Sequence, residues 1–295
     1  MKEIIGISAA LISTLSWAIG TTKLKEIGEK ASPITMTLVK SIYCAILLAI
    51  IALLTHANLF IKPEYLWTLI ASGVVGITLG DCFFFASLKR LSPIVLSVIL
   101  LAGPDIATGI LSFIFLKELP SITTLIGIVT TLLGLSFIIF PVKEEGGKSE
   151  ISGYVFALLS LICMAASTVM LKPALTEIPT ITATVYRLLF GGIALILYTV
   201  LTKQTGDYLE PFKDKSFAKP YFGVMSMLAI GGFWLSIMAF KNINLITAST
   251  LMTLEPLFIL FIMMFCYRYK PLKKEVIGII ITLIGILLIS YGEIL

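Results

Sequence analysis

Ten long stretches of mostly apolar residues are the feature that most constrains how this 295-residue chain can fold. A helix rises 1.5 Å per residue, so about 20 apolar residues are needed to cross the roughly 30 Å hydrocarbon core of a bilayer. The stretches cover residues 4–22, 34–54, 66–88, 93–116, 122–140, 151–171, 181–201, 220–240, 245–267 and 276–292. The short connectors between them leave no room for a soluble domain. The sequence therefore predicts an all-α, multi-pass membrane protein with ten transmembrane helices.

An internal duplication organises these stretches into two halves. The aligned pairs are Gly6 with Gly153, Ser13 with Ser160 and Lys40 with Arg187 at an offset of 147, Lys89 with Lys241 and Pro104 with Pro256 at 152, and Gly127 with Gly278 and Gly134 with Gly285 at 151. We predict two five-helix domains, residues 1–145 and 146–295. Because five is odd, the second half enters the membrane in the opposite sense. Inverted repeats of this kind are common in secondary transporters.

The basic residues are distributed unevenly between the two predicted membrane faces. Of the 22 Lys and Arg residues, 15 lie in connectors after odd-numbered helices, five lie on the other face, and Lys40 and Arg187 lie within spans. Because Lys and Arg are concentrated in cytoplasmic loops, this bias supports the inversion and favours an orientation with both termini outside the cell. The same scattering along short connectors argues against nucleic acid as a partner.

Five charged residues lie well inside the predicted spans, namely Lys40, Asp81, Asp105, Arg187 and Glu255. A charged side chain at the centre of a membrane helix costs about 2.5–3.5 kcal/mol on insertion scales, so these groups must face water, a cavity or one another. One interpretation pairs Lys40 with Asp105 and Arg187 with Glu255 as contacts that hold helices together. The other places all five around a polar cavity that binds a substrate.

Asp81 is the most distinctive of the five charges. It follows the glycine-rich run Gly73, Gly76 and Gly80, and Phe233 occupies the equivalent position of the second half. With Asp81 included, the spans contain three acidic groups and two basic groups. A surplus carboxylate in a medium of low dielectric constant can carry a proton, so coupling to protons is a hypothesis.

Proline and glycine residues recur at matched positions in the two halves. Pro104 and Pro256 are predicted to kink their helices, either as paired gates or as fixed bends that shape the bundle. The glycines occur in pairs seven residues apart, which places both members of a pair on one helix face. Small residues allow close approach of helix backbones, so we predict a packing contact or a dimer seam. These residues are Gly127, Gly134, Gly278 and Gly285.

Three aromatic residues lie deep enough in the spans to line a pocket. They are Trp17, Tyr186 and Trp234, of which Tyr186 is adjacent to Arg187. Aromatic faces would suit an apolar or a cationic solute. Other aromatic residues are expected to face lipid or fill the interior.

Neither an enzyme nor a cofactor site is indicated by the motifs in the chain. The four cysteines fall within spans and lack the spacing of a zinc site or a disulfide framework. The run Gly146-Gly147-Lys148-Ser149 resembles the end of a phosphate-binding loop, but Val142 stands where the first glycine is required. We therefore predict no catalytic residues, no metal and no cofactor.

These motifs and their order resemble the drug/metabolite transporter superfamily, specifically proteins with two EamA-like domains. The likeness rests on Ser32-Pro33-Ile34-Thr35 before Lys40, Pro179-Thr180-Ile181-Thr182 before Arg187, Ser87-Leu88-Lys89, Ala239-Phe240-Lys241 and Glu255-Pro256. The resemblance implies ten helices and transport of small molecules. It also implies that both termini are cytoplasmic, which is opposite to the charge bias, so the orientation stays open.

The sequence therefore favours a secondary transporter in the cytoplasmic membrane. We expect it to export small metabolites, amino acids or drugs by alternating access, as a monomer or a homodimer in the lipid bilayer. The alternatives are a lipid scramblase or an intramembrane enzyme that uses the same cavity, and a structural adaptor, which would give no reason for buried charge.

Overall fold

The fold is given by a computed structural model that describes residues 1–27, 31–91, 121–139, 151–203, 208–252, 254–266, 268, 270 and 272–294. These residues form helices joined by short connectors, and no strand occurs among them. The fourth predicted span, 93–116, lies outside the described residues together with Pro104 and Asp105.

The two halves contain matching orders of helices. The first half contains α1 (Lys2–Ile27), α2 (Pro33–Leu54), α3 (Pro63–Ser72), a π-helical segment (Gly73–Gly80), α4 (Asp81–Arg90) and α5 (Ile122–Ile139). The second half contains α6 (Ile151–Leu171), α7 (Thr180–Leu201), α8 (Lys215–Met227), a π-helical segment (Leu228–Trp234), α9 (Leu235–Asn242), α10 (Leu245–Met252), α11 (Glu255–Cys266) and α12 (Lys273–Ile294). Short 3₁₀ turns occupy Lys172–Thr176 and Glu210–Lys213.

Six helical stretches among the described residues are long and apolar enough to cross a membrane. They are Lys2–Leu24, Pro33–Leu54, Pro63–Arg90, Ile151–Thr176, Thr180–Leu201 and Lys215–Asn242. Shorter apolar helices occupy Ile122–Gly134, Thr247–Ile262 and Val276–Leu288, within three further predicted spans. These lengths and compositions are those of a helical membrane protein.

Local sequence signals explain where α2 begins. The Ser32 hydroxyl accepts a hydrogen bond from the Thr35 backbone N–H at 3.1 Å, and Pro33 is the first helical residue. A serine cap satisfies one of the free N–H groups of the first turn, and proline is favoured at the first helical position because it has no N–H to lose. This start places Lys40 about two turns into the helix.

The ninth predicted span contains two described helices, α10 ending at Met252 and α11 beginning at Glu255. Thr253, between them, lies outside the described residues. Pro256 is the second residue of α11, and the kink predicted there stays a prediction.

The four predicted packing glycines meet at a single contact within the chain, between α5 and α12. A Cβ atom at Gly134 would lie 2.9 Å from the Gly278 carbonyl oxygen, and one at Gly285 would lie 2.9 Å from the Gly127 carbonyl oxygen. Because the lower-numbered glycine of one helix meets the higher-numbered glycine of the other, the helices are antiparallel. The close backbone approach leaves no space for a side chain at Gly134 or Gly285.

Matched hydrogen bonds join the two halves reciprocally. The Ser13 hydroxyl of α1 donates to the Gly232 carbonyl at 3.0 Å, and the Ser160 hydroxyl of α6 donates to the Gly80 carbonyl at 2.9 Å. Ser13 aligns with Ser160, and Gly80 aligns with Gly232, at the offsets of the sequence duplication. The first helix of each half is therefore tied to the π-helical segment of the other half, and both segments border the cavity described next.

The glycine contact generates the first prediction. Gly134→Ala and Gly285→Ala force helix backbones apart, and overpacking of this kind costs about 1–3 kcal/mol. We expect each variant to unfold at a lower temperature in detergent, as measured by intrinsic fluorescence. Gly223→Ala is the matched control, because nothing lies within 4 Å of a Cβ atom there. Equal unfolding temperatures for all three variants would contradict the packing described.

Candidate functional site

A cavity of about 180 Å³ lies between the two halves of the chain. Both halves contribute to its wall, which is mostly apolar and aromatic with a few polar groups, as small-molecule sites usually are. The lining residues are Trp17, Gly76, Ile77 and Asp81 from the first half and Met164, Thr168, Thr184, Arg187, Leu188, Phe233, Ser236, Ile237 and Phe240 from the second.

Asp81 and Lys40 form a buried ion pair at one side of the cavity. The Lys40 ammonium donates to Asp81 Oδ2, and the two residues are only 1% and 2% exposed. The same ammonium lies 4.9 Å from the centre of the Phe233 ring, within the range of a cation–π contact. Lys40 thus reaches its partner within its own half and contacts an aromatic ring of the other half.

This pairing corrects the sequence-based assignment of the charges. One of the two interpretations paired Lys40 with Asp105, which lies outside the described residues, and left Asp81 as the surplus carboxylate. Asp81 is instead neutralised by Lys40. The π-helical turn that ends at Gly80 changes the angular register of the helix, so the usual period of 3.6 residues does not show which way Asp81 points.

Arg187 lies on α7 and lines the same cavity. Its Nη2 atom donates to the Ser167 hydroxyl at 2.7 Å, while its Nε atom is buried and has no hydrogen-bond partner among the described residues. A Cβ atom at Gly76 would lie 3.1 Å from Nη2, and one at Gly73 would lie 2.7 Å from the Arg187 carbonyl oxygen. The glycines of the first π-helical segment therefore make room for both the guanidinium group and the backbone of α7.

Arg187 and Glu255 do not form the ion pair that one of the two interpretations suggested. Glu255 is the first residue of α11 and lies outside the residues that line the cavity. Its Oε1 atom is buried without a hydrogen-bond partner in the described part of the chain.

Only one of the three predicted pocket aromatics lines the cavity. Trp17 does so and makes an edge contact with Phe233 at 5.1 Å between ring centroids. Tyr186 donates its hydroxyl to the Leu59 carbonyl at 3.1 Å, and the Trp234 indole N–H donates to the Thr180 hydroxyl at 3.0 Å. The latter two residues therefore hold the beginning of α7 in place.

Sequence reasoning missed the neutral polar residues of the cavity wall, among them Thr168, Thr184 and Ser236. Hydroxyl residues are common in membrane helices and often bond to the carbonyl four residues earlier, as Thr184 does to Thr180 at 2.8 Å. One signal was available, because Thr184 precedes Arg187 by three residues and so shares its helix face. Thr184 could therefore have been identified as a residue that shares a helix face with Arg187.

Connectors from both halves meet on one face of the protein. Lys62 Nζ lies 2.6 Å from Glu177 Oε2, and Lys172 Nζ donates to the Phe240 and Ile243 carbonyls at 2.6 and 2.7 Å. The hydrogen bond with Lys62 lowers the pKa of Glu177, and the same contact raises the pKa of Lys62. The Lys62–Glu177 pair is exposed, so it contributes little to stability, but it joins the connector after α2 to the connector after α6.

The buried ion pair generates the second prediction. Asp81→Asn leaves the Lys40 ammonium buried without a counter-ion, and breaking a buried pair in this way costs about 3–5 kcal/mol. We expect a marked fall in unfolding temperature, measured in detergent by intrinsic fluorescence. The double variant Lys40→Met, Asp81→Leu removes both charges and should regain most of the loss. A double variant that is less stable than Asp81→Asn would contradict the pairing.

Comparison with solved structures shows a known fold. One crystal structure of a protein matches with a TM-score of 0.72 over 97% of this chain and 94% of that chain, at 15% sequence identity. Such low identity supports the shared fold and nothing further. The fold is thus one that other proteins of nearly the same length adopt.

Two relatives are named as uncharacterized transporters. YyaM of Bacillus subtilis (strain 168) is 25% identical over 231 residues, which cover 75% of this chain and 72% of that protein. A protein of Archaeoglobus fulgidus is 22% identical over 280 residues, 95% of this chain and 96% of the relative.

The family comparison agrees with the resemblance inferred from the sequence motifs. The model of the EamA-like transporter family matches twice, at residues 4–140 and 151–291, and the two matches together span most of the chain. The chain therefore belongs to the EamA-like transporter family.

Proposed function

We propose that this protein is a secondary transporter that exports small metabolites, amino acids or drugs across the cytoplasmic membrane by alternating access. The observation that carries the proposal is the cavity between the halves, which presents Asp81 from one half and Arg187 from the other. A site shared by two halves changes its exposure when the halves rock against each other. Charged groups at such a site mark a substrate pathway in a membrane protein.

We further propose ten transmembrane helices arranged as two inverted repeats, in domains 1–145 and 146–295. Two pairs of equivalent helices support the inversion, because α5 is antiparallel to α12 and α2 is antiparallel to α7. For the second pair, the Thr182 hydroxyl donates to the Asn58 carbonyl just beyond α2 at 2.8 Å, while a Cβ atom at Gly192 would lie 2.9 Å from Ile42. Parallel repeats would instead place equivalent residues at the same depth.

The connector contacts close one side of this proposed pathway. Phe240 and Ile237 line the cavity, and the Phe240 carbonyl accepts from Lys172 within the same group of contacts as the Lys62–Glu177 pair. Opening the cavity on this face separates the connectors after α2 and α6. An exposed pair suits such a contact, because it breaks and reforms at small cost.

Coupling of transport to protons remains part of the proposal, but it now rests on the Lys40–Asp81 ion pair and no longer on a surplus carboxylate. Asp81 is paired with Lys40, so a proton taken up by Asp81 would release the Lys40 ammonium from its partner. The substrate would bind beside Arg187 and the proton would bind Asp81, so both would bind in the same cavity. Transport driven by a pH gradient and lost in Asp81→Asn would support this coupling.

The third prediction tests transport directly. Vesicles that contain the purified protein and a defined metabolite mixture should lose particular compounds faster than protein-free vesicles, as measured by mass spectrometry. Arg187→Gln should reduce this efflux at least about tenfold if the guanidinium contributes one charge-assisted hydrogen bond to the moving substrate. Gly223→Ala, which changes a surface position, should retain it. Equal loss from wild-type and protein-free vesicles would overturn the proposed function.

The fourth prediction tests alternating access at the connector face. Cysteines at positions 62 and 177, joined by a bifunctional methanethiosulfonate reagent, should stop efflux, and a reducing agent should restore it. Each single-cysteine variant and the wild type, treated in the same way, are the controls for the native cysteines. Continued efflux after verified cross-linking would show that this contact does not open during transport.

A further inference from the structure

Arg187 is the one charged group of the described cavity wall without a counter-ion. Lys40 and Asp81 neutralise each other, so the pair adds no net charge. Arg187 donates to the neutral hydroxyl of Ser167, and its Nε atom has no partner among the described residues. The three groups together leave one positive charge at the cavity, in surroundings where an unpaired charge is costly.

The duplication explains how this surplus charge arises. Arg187 is the equivalent of Lys40, and Phe233 is the equivalent of Asp81. The second half therefore has a cation like the first half, but an aromatic ring where the first half has the counter-ion. Phe233 itself lines the cavity, so an apolar ring and an unpaired guanidinium group lie in the same wall.

The remaining wall limits the size and polarity of a ligand. Trp17 and Phe233 meet edge to face, and Ile77, Ile237 and Phe240 extend the apolar surface. The volume of about 180 Å³ is below the roughly 300–1,000 Å³ of pockets that hold drug-sized ligands. The site is thus suited to a small molecule with an apolar body and one polar end.

We propose that the transported substrate is a small monocarboxylate whose carboxylate binds the Arg187 guanidinium and whose apolar body packs against Trp17 and Phe233. This inference rests on the proposed function and specifies its substrate class. A guanidinium group binds a carboxylate through two parallel hydrogen bonds, and the neutral Ser167 hydroxyl is the hydrogen-bond partner that Arg187 has among the described residues. An anion balances the surplus positive charge, whereas a zwitterion leaves it unbalanced and a cation increases it. The aromatic residues alone would also suit a cation, but the unpaired arginine favours an anion over a cation.

The test uses four probes that share an aromatic body and differ in charge. We would measure the unfolding temperature of the purified protein with 3-phenylpropionate, 3-phenylpropionamide, 3-phenylpropylamine and phenylalanine, and with hexanoate as a second carboxylate. At least one carboxylate should stabilise the wild type, and the amide, the amine and the amino acid should do so much less at the same concentration. A greater or equal shift with any of those three, or no shift with either carboxylate, would overturn the inference.

Variants assign the effect to Arg187. Arg187→Gln should raise the Kd of the stabilising carboxylate about 10- to 150-fold, the range for a hydrogen bond to a charged group. Phe233→Asp adds a negative charge to the wall that contains Arg187, and should weaken carboxylate binding while retaining Arg187. Lys219→Gln removes an exposed cation of α8 outside the cavity and should bind as the wild type does. Unchanged carboxylate binding in Arg187→Gln would overturn the inference even if Phe233→Asp failed to fold.

The efflux measurement separates this inference from the proposed function. Efflux of amides or amines with no efflux of carboxylates would support a transporter and overturn the substrate class. Carboxylate binding without efflux of any compound would support the binding site and overturn the transport proposal.

Discussion

A charge inside a bilayer must be paired or must face a polar cavity, and the centre of this protein is arranged around that constraint. Lys40 and Asp81 satisfy it by direct contact, almost fully buried between the helices of the first half. The Phe233 ring covers the ammonium from the other half, so the pair also joins the halves. Because Asp81 forms part of the cavity wall, the cavity lies beside this ion pair.

Arg187 satisfies the same constraint in a different way. Its guanidinium group has one neutral hydroxyl as a partner and faces the cavity, where Gly76 has no side chain to block it. The π-helical segment that contains Gly76 is held in turn by the Ser160 hydrogen bond to Gly80. Backbone geometry in the first half thus makes room for a charge that belongs to the second half.

Much of the fold could be predicted from the sequence, because the dominant signals are long and repeated. Apolar stretches of membrane length gave the helices, and Ser32 followed by Pro33 marked the start of α2 through known capping chemistry. The glycines spaced by seven residues indicated a close contact, and the structure places all four in one contact between α5 and α12. These features depend on local spacing, which a sequence shows directly.

Features that depend on angular register could not be predicted in the same way. The π-helical segment before Asp81 changes the direction of that side chain, which contacts Lys40. The spacing of residues in the sequence does not indicate this change of direction. Glu255 likewise does not pair with Arg187, although one interpretation of the sequence made the two symmetric partners, and it lies outside the residues that line the cavity. Tyr186 and Trp234 were expected in the pocket, but each found a hydrogen-bond partner near the beginning of α7. Polar atoms of buried aromatic residues need partners, and the location of a partner decides where the ring lies.

The symmetry of the chain and the asymmetry of its charges have different consequences. Equivalent hydrogen bonds from Ser13 and Ser160 attach each half to the other in the same way. The difference between Asp81 and Phe233 changes the charge of the cavity wall and leaves these attachments unchanged. Two duplicated halves can therefore keep equivalent contacts with each other while a single matched position differs in charge. Among the described residues that difference leaves Arg187 without a counter-ion, which is the basis of the proposed carboxylate ligand.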